Sequence, residues 1–127
     1  MNINGPLSGI TVVTCSTAQA GTVPYMLMAD MGATIIKIEM PNKGDGNRNS
    51  GEIKNGISSY FETNNRGVKS LTLNLKSDQG KKILHKLIEK ANVFGQNFSP
   101  GAAERNGFGY EDLKKINPAI VYASVSA

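Results

Sequence analysis

Ile10-Thr11-Val12-Val13, Tyr25-Met26-Leu27-Met28-Ala29-Asp30-Met31 and Ala33-Thr34-Ile35-Ile36-Lys37-Ile38-Glu39 decide the fold. The first is a short β-branched run, the pattern of a buried strand. The second is almost wholly apolar and reads as a helix. Pro24 suits its first turn, and Gly32 supplies its C-terminal stop. The third is a second β-branched strand. Strand, helix and strand at this spacing imply a parallel pair with a right-handed crossover. Between the first strand and the helix, Ser16 to Gly21 reads as a turn of small residues.

Working outward, Met40 to Ile57 is rich in Gly, Asn, Asp and Pro and reads as a long loop. Ser58 to Thr63 reads as a helical turn. Lys69 to Leu75 alternates, which places Leu71, Leu73 and Leu75 on one face of a strand. Ser77 is a candidate N-cap, with Asp78 in the first helical turn. Ile83, Leu84, Leu87, Ile88 and Ala91 then share one helical face, opposite a lysine-rich one. Val93 to Asn97 is a further short strand. Ser99-Pro100-Gly101 opens a helical turn reaching Arg105, and Tyr110 to Ile116 is a short helix that Pro118 stops. Strands are therefore expected near residues 10–15, 34–38, 69–75, 92–96 and 119–125.

The expected architecture is an α/β fold, a Rossmann-like open parallel sheet with flanking helices. Residues 1–127 are expected to form a single domain with no internal boundary. The last run is apolar at nearly every position from Ala119 to Ala123, the pattern of a strand covered on both faces. Its covering crossover is expected beyond the last residue, which makes this the front portion of a larger enzyme.

Composition narrows the function classes. Hydrophobic residues make up 39% of the 127 and charged residues 19%, ordinary for a globular chain. No apolar run approaches the roughly 20 residues of a membrane span. No signal-peptide pattern opens the chain. Cys15 is alone, so no intrachain disulfide can form, which suits a cytoplasmic protein. The net charge of +4 fits a solvated basic surface or an anionic ligand. Nucleic acid is disfavoured, because no dense Lys/Arg tract is interleaved with aromatics and Trp is absent.

Several motifs fail on inspection. The turn Ser16 to Gly21 holds one glycine where a dinucleotide fingerprint needs three, so Glu39 at the end of the second strand does not by itself indicate NAD. Gly44-Asp45-Gly46-Asn47 lacks the alternating acids of a calcium loop and reads as a surface turn. His85, the single histidine, reads as solvated on the lysine-rich helix, and one His with one Cys makes no metal site. Cys15 reads as a small core residue. One cluster does better. Gln96-Asn97-Phe98-Ser99-Pro100-Gly101 with Arg105 follows a parallel strand, where open α/β sheets bind ligands. Asn97 offers an amide, Phe98 an aromatic face and Arg105 a fixed cation, and Lys76 closes another strand with a second cation.

The same residues carry a resemblance. Pro6-Leu7-Ser8-Gly9-Ile10, Gln19-Ala20-Gly21, Ala29-Asp30-Met31-Gly32-Ala33, Ile36-Lys37-Ile38-Glu39 and Gly44-Asp45 with Arg48 occur in order. Tyr60-Phe61, Asn65-Arg66, Lys69-Ser70, Leu73, Leu75-Lys76 and Gln96 to Gly101 with Arg105 and Gly107 complete the set. Together they resemble the N-terminal part of the class III coenzyme A transferases, the family of formyl-CoA transferase, carnitine CoA-transferase and α-methylacyl-CoA racemase. The resemblance implies CoA or acyl-CoA as ligand and no metal. It implies that Gln19 and Ala20 lie near the acyl-thioester and pantetheine, and that Leu73, Lys76, Asn97, Phe98 and Arg105 line the adenine and phosphate region. Thr22 stands where the family often has Pro, Met40 where some members carry Arg, and Gln96 where Glu is usual. The resemblance also implies an interlocked homo-oligomer and a catalytic aspartate that follows the strand at Ala119 to Val125. Asp30, Asp45, Asp78 and Asp112 do not match that nucleophile, so the chain contains no expected catalytic residue and is expected to be inactive alone. The alternative expectation is a free-standing, self-associating α/β interaction module.

Overall fold

In the computed structural model, which describes residues 5–126, the strands are β1 (Thr11–Thr14), β2 (Thr34–Glu39), β3 (Ile53–Lys54), β4 (Ile57–Ser58), β5 (Val68–Thr72), β6 (Val93–Gln96) and β7 (Val121–Ser124). The helices are α1 (Ala18–Asp30), α2 (Ser59–Asn65), α3 (Asp78–Ile88), α4 (Ala102–Arg105) and α5 (Tyr110–Ile116). Five strands form one sheet in the order β5-β2-β1-β6-β7, and every pairing in it is parallel. β3 and β4 form a separate antiparallel ribbon. The chain starts in the middle of the sheet, builds outward through β2 to β5, then returns to β1 and builds the other way. The reversal puts a topological switch point between β1 and β6.

Two apolar layers cover the sheet. On one face Val12 and Ile35 pack with Tyr25, Ala29 and Ala33. On the other, Val13, Ile38 and Phe94 pack with Leu84 and Ile88 of α3 and Leu113 of α5. The alternation of Val12 and Val13 between the layers is the period-two signature of a strand buried on both sides.

Serine side chains cap the starts of two helices. Ser77 Oγ accepts from Gly80 N at 3.0 Å, as its sequence position predicts. Ser58 does the same for α2, accepting from Phe61 N at 3.0 Å. Gly32 ends α1 with φ +98°, a conformation that costs glycine little.

The helix of the first crossover is longer than expected. It begins at Ala18 rather than near Tyr25, so Pro24 lies inside it and not in its first turn. Of the residues read as a turn, Ala18 to Gly21 are its first turn. α3 is also rotated from the expected face. Leu84 and Ile88, one turn apart, centre its buried arc, and Ile83, about 100° away, is 45% exposed. His85 lies on the other border of that arc. It is half-buried rather than solvated, and its Nε2 is shielded without a hydrogen-bond partner among the described residues.

The long loop is partly ordered into a 3₁₀ turn at Gly46–Asn49 and the β3–β4 ribbon. The third sheet strand ends at Thr72, so Leu73 and Leu75 lie beyond it, although Leu73 remains buried. Among the described residues β7 is the outermost strand of the sheet, and Val121 on it is 61% exposed.

Candidate functional site

A cleft of about 250 Å³ opens at the carboxyl edge of the sheet. It lies across the switch point, where the segments after β1, β2, β5 and β6 converge. Cys15 and Thr17 come from the first of these, and Met40, Gly44 and Asp45 from the second, with Ile38 and Glu39 from the end of β2 itself. Leu73, Asn74, Leu75 and Lys76 come from the third, and Phe98, Asn106 and Phe108 from the fourth. Its floor is the open end of the α3–α5 core layer, because Cys15, Ile38, Leu73 and Phe108 belong to both. The aromatic wall is preorganised. The Phe98 and Phe108 rings lie 5.6 Å apart at 56°, and Phe108 meets Phe94 edge-on at 6.3 Å.

Three of the residues singled out in the sequence, Leu73, Lys76 and Phe98, line this cleft. Gln19 and Ala20 are exposed in the first turn of α1 and lie outside the lining. Arg105 is exposed at the end of α4, its guanidinium lying over Gly101, where a Cβ would stand 2.7 Å from Nη1. Asn97 also lies outside the lining, and its amide is already engaged. Its Oδ1 accepts from Thr17 N at 2.9 Å and its Nδ2 donates to Thr17 O at 2.7 Å. Thr17 is the N-cap of α1 and makes no side-chain cap of its own. Asn97 thus fastens the residue at which α1 begins to the end of β6, while leaving the free amides of the first helical turn uncapped. Gly21 makes room for it, since a Cβ there would stand 2.6 Å from Asn97 Nδ2. Ala18, beside the clamp, takes φ +57°, a left-handed conformation uncommon for alanine.

Gln96 holds the backbone of Phe98, two residues on, which lines the cleft. Its Oε1 accepts from Phe98 N at 2.7 Å, while its Nε2 donates to Ser124 Oγ at 2.8 Å and ties β6 to β7.

Sequence reasoning missed Cys15, Asn106 and Phe108 as lining residues, and Lys37 as a buried charge. Burial pushes the Cys15 thiol up to about 12, so it is protonated at neutral pH and is not an activated nucleophile. Lys37 is only 2% exposed, and its Nζ pairs with Asp45 and donates to Asn65 Oδ1 at 2.8 Å. Asp45 is 1% exposed, so the expected surface turn is anchored in the interior instead. Glu39 is likewise unavailable to a ribose. It accepts from Arg48 Nε at 2.7 Å and Nη2 at 2.6 Å, from Ser70 Oγ at 2.7 Å and from Asp45 N at 2.8 Å. Burial alone raises its carboxyl pKa. The hydrogen bonds from Arg48, Ser70 and Asp45 N, with the Arg48 charge, outweigh that and bring it to about 2. Among the described residues, no group of three or more His, Cys, Asp or Glu is placed to hold a metal, and no helix is long and apolar enough to cross a membrane.

An aromatic and aliphatic cleft with one cation at a switch point is a fold-level signature, and comparison with known proteins narrows it. The profile of CoA-transferase family III matches residues 7–127. The chain belongs to CoA-transferase family III. Among family relatives, acetyl-CoA:oxalate CoA-transferase of Acetobacter aceti is 41% identical over 122 residues, covering 96% of this chain and 31% of that enzyme. Formyl-CoA:oxalate CoA-transferase of Streptomyces coelicolor is 42% identical over 120 residues, covering 94% and 29%. The crystal structure of Rv3272 from M. tuberculosis superposes with a TM-score of 0.90 at 35% identity, covering 97% of this chain and 35% of that one. The chain therefore spans about a third of the length of these family III relatives.

Proposed function

We propose that this chain is the N-terminal, CoA-recognising portion of an enzyme that transfers CoA between an acyl-CoA thioester and a carboxylic acid. The observation that carries the proposal is the switch-point cleft, formed within the segment that the family profile matches. Its chemistry fits the nucleotide end of CoA. Phe98 and Phe108 present ring faces and edges, Ile38, Leu73 and Leu75 an apolar bed, and Lys76 a cation beside them. Arg105, next in sequence to the cleft residue Asn106, offers a second cation for phosphate. Gln19 and Ala20, at the exposed start of α1, lie toward the pantetheine and thioester end.

The portion described transfers no CoA alone, because each of its aspartates has another task. Asp45 is buried against Lys37, Asp30 pairs with Arg66, Asp112 accepts from Gly109 N at 3.2 Å, and Asp78 opens α3. None is poised in the cleft as a free carboxylate. A second reading, a self-associating interaction module, is favoured by β7, outermost among the described residues, with Val121 exposed on it and Val125 exposed just after it, since an open strand edge invites pairing. The helix α1 supports it less than its sequence suggests. Leu27 and Met31 are exposed, but Met26 is buried.

Titration of the chain with CoA, followed by calorimetry or NMR, tests the first reading. Binding is expected at high ligand concentration and should weaken with salt. Lys76→Ala should weaken it about ten-fold, or about 1.4 kcal/mol, whereas Lys86→Ala on the solvated face of α3 should not. No response to CoA at any concentration, or equal effects of the two substitutions, would favour the interaction module. Acyl exchange by the pure chain, abolished by a single Asp→Asn change within it, would overturn the claim of inactivity.

A further inference from the structure

Lys37 and Glu39 project from the same face of β2, two residues apart, and both are almost fully buried. Charges so placed are rare unless paired, and both partners come from the loop that follows the strand. Lys37 holds Asp45, and Glu39 holds Arg48 and the Asp45 amide. Asp45 in turn accepts from Asn47 N at 2.9 Å. Both cations also face the Phe61 ring of α2, with Lys37 Nζ at 5.3 Å and the Arg48 guanidinium at 3.9 Å from its centroid. Gly44 makes the closure possible. It takes φ +64°, and a Cβ there would stand 2.9 Å from Glu39 Oε2.

The network thus folds residues 40–45 back onto the end of β2. Those residues supply one side of the cleft through Met40, Gly44 and Asp45, yet Lys37 and Arg48 are not among its lining. Stability alone is a weak account of such a network, because buried ion pairs roughly break even against apolar residues of similar shape. What four interlocked charges provide that apolar packing does not is a single loop geometry with defined hydrogen-bond directions.

We propose that Arg48 and Lys37 are positioning residues for the cleft ligand, holding the 40–45 wall in place through Glu39 and Asp45 without touching the ligand. This assignment rests on the reading that the cleft binds CoA.

The test uses the whole chain, CoA as the probe and Arg48→Met. That change keeps an extended side chain over Phe61 and removes both hydrogen bonds to Glu39, at a position exposed enough to leave the core intact. CoA affinity should fall on the order of ten-fold, within the range of substitutions that act on a site without contacting its ligand. The salt dependence of binding should be unchanged, whereas Lys76→Ala should flatten it, because only a residue that meets phosphate contributes to that slope. Hydrogen exchange of the Asp45 amide should accelerate while that of Val13 and Phe94 stays slow. Arg48→Lys, which can restore one of the two hydrogen bonds, should recover part of the affinity. Unaltered affinity and unaltered Asp45 exchange in Arg48→Met would sink the assignment alone. A flattened salt dependence in Arg48→Met would overturn it in another way, by making Arg48 a direct phosphate ligand. Absence of CoA binding by the unaltered chain would instead remove the reading of the cleft, and this assignment with it.

Discussion

Asn97→Ala removes a clamp that joins the end of β6 to the start of α1. Two hydrogen bonds are lost, at 2.9 and 2.7 Å, both to the backbone of Thr17. Each such bond contributes roughly 0.5–1.5 kcal/mol net. Thr17 is exposed, so water replaces part of what is lost, and the expected cost lies in the lower half of the summed range, about 1.5 kcal/mol. For a chain of this size that corresponds to a Tm about 6 °C lower. Asn97→Asp sharpens the test. It keeps an acceptor for Thr17 N–H but sets a carboxylate oxygen against the Thr17 carbonyl, so at neutral pH it should cost at least as much as alanine. Below about pH 4 a protonated carboxyl regains a donor, and the gap to the unaltered chain should narrow. Urea unfolding at two pH values, with unchanged m, measures this. Full stability in both variants would refute the clamp. Lost CoA binding at unchanged stability would show that the amide serves the ligand instead.

Glu39 predicts an acid transition. Its folded pKa of about 2 lies below the ordinary value of 4.5, so the unfolded chain takes up the proton first as pH falls. The stabilisation is complete above about pH 5 and is lost as pH approaches 2, amounting to about 3 kcal/mol in all. Glu39→Gln should flatten this part of the pH–stability curve, and an unchanged acid limb in that variant would contradict the reasoning. Cys15, buried and titrating near 12, should react with a thiol reagent only as fast as the structure opens, with a rate that rises in step with added urea. Rapid second-order reaction with the native chain would show that the thiol is accessible through the cleft.

Short-range patterns were enough for much of this molecule. The β-branched runs at Thr11–Thr14 and Thr34–Glu39, the helix Tyr110–Ile116 and the cap at Ser77 depend on neighbours in sequence, and each was legible there. So was the family, through the ordered set of small motifs from Pro6 to Gly107. Lys76 and Phe98 were legible as cleft residues because they follow strands, and strand ends line the carboxyl edge of a parallel sheet, whereas Leu73 was indicated by the family resemblance alone. Cys15, Asn106 and Phe108 were not, because their convergence depends on the strand order. The start of α1 was missed for a related reason: the residue that begins it, Thr17, is held by Asn97, 80 residues away, and no local side chain caps the helix. The fate of Lys37 was equally hidden. An alternating strand can place a lysine at a wet edge or in the interior. Only the arrival of Asp45 from the loop and Asn65 from α2 makes burial affordable for its charge. The amino-acid order by itself determined the elements and the kinship, since both rest on local pattern. Which charges are buried, and which side chains meet across the cleft, was decided by contacts between distant segments that exist only once the sheet has assembled.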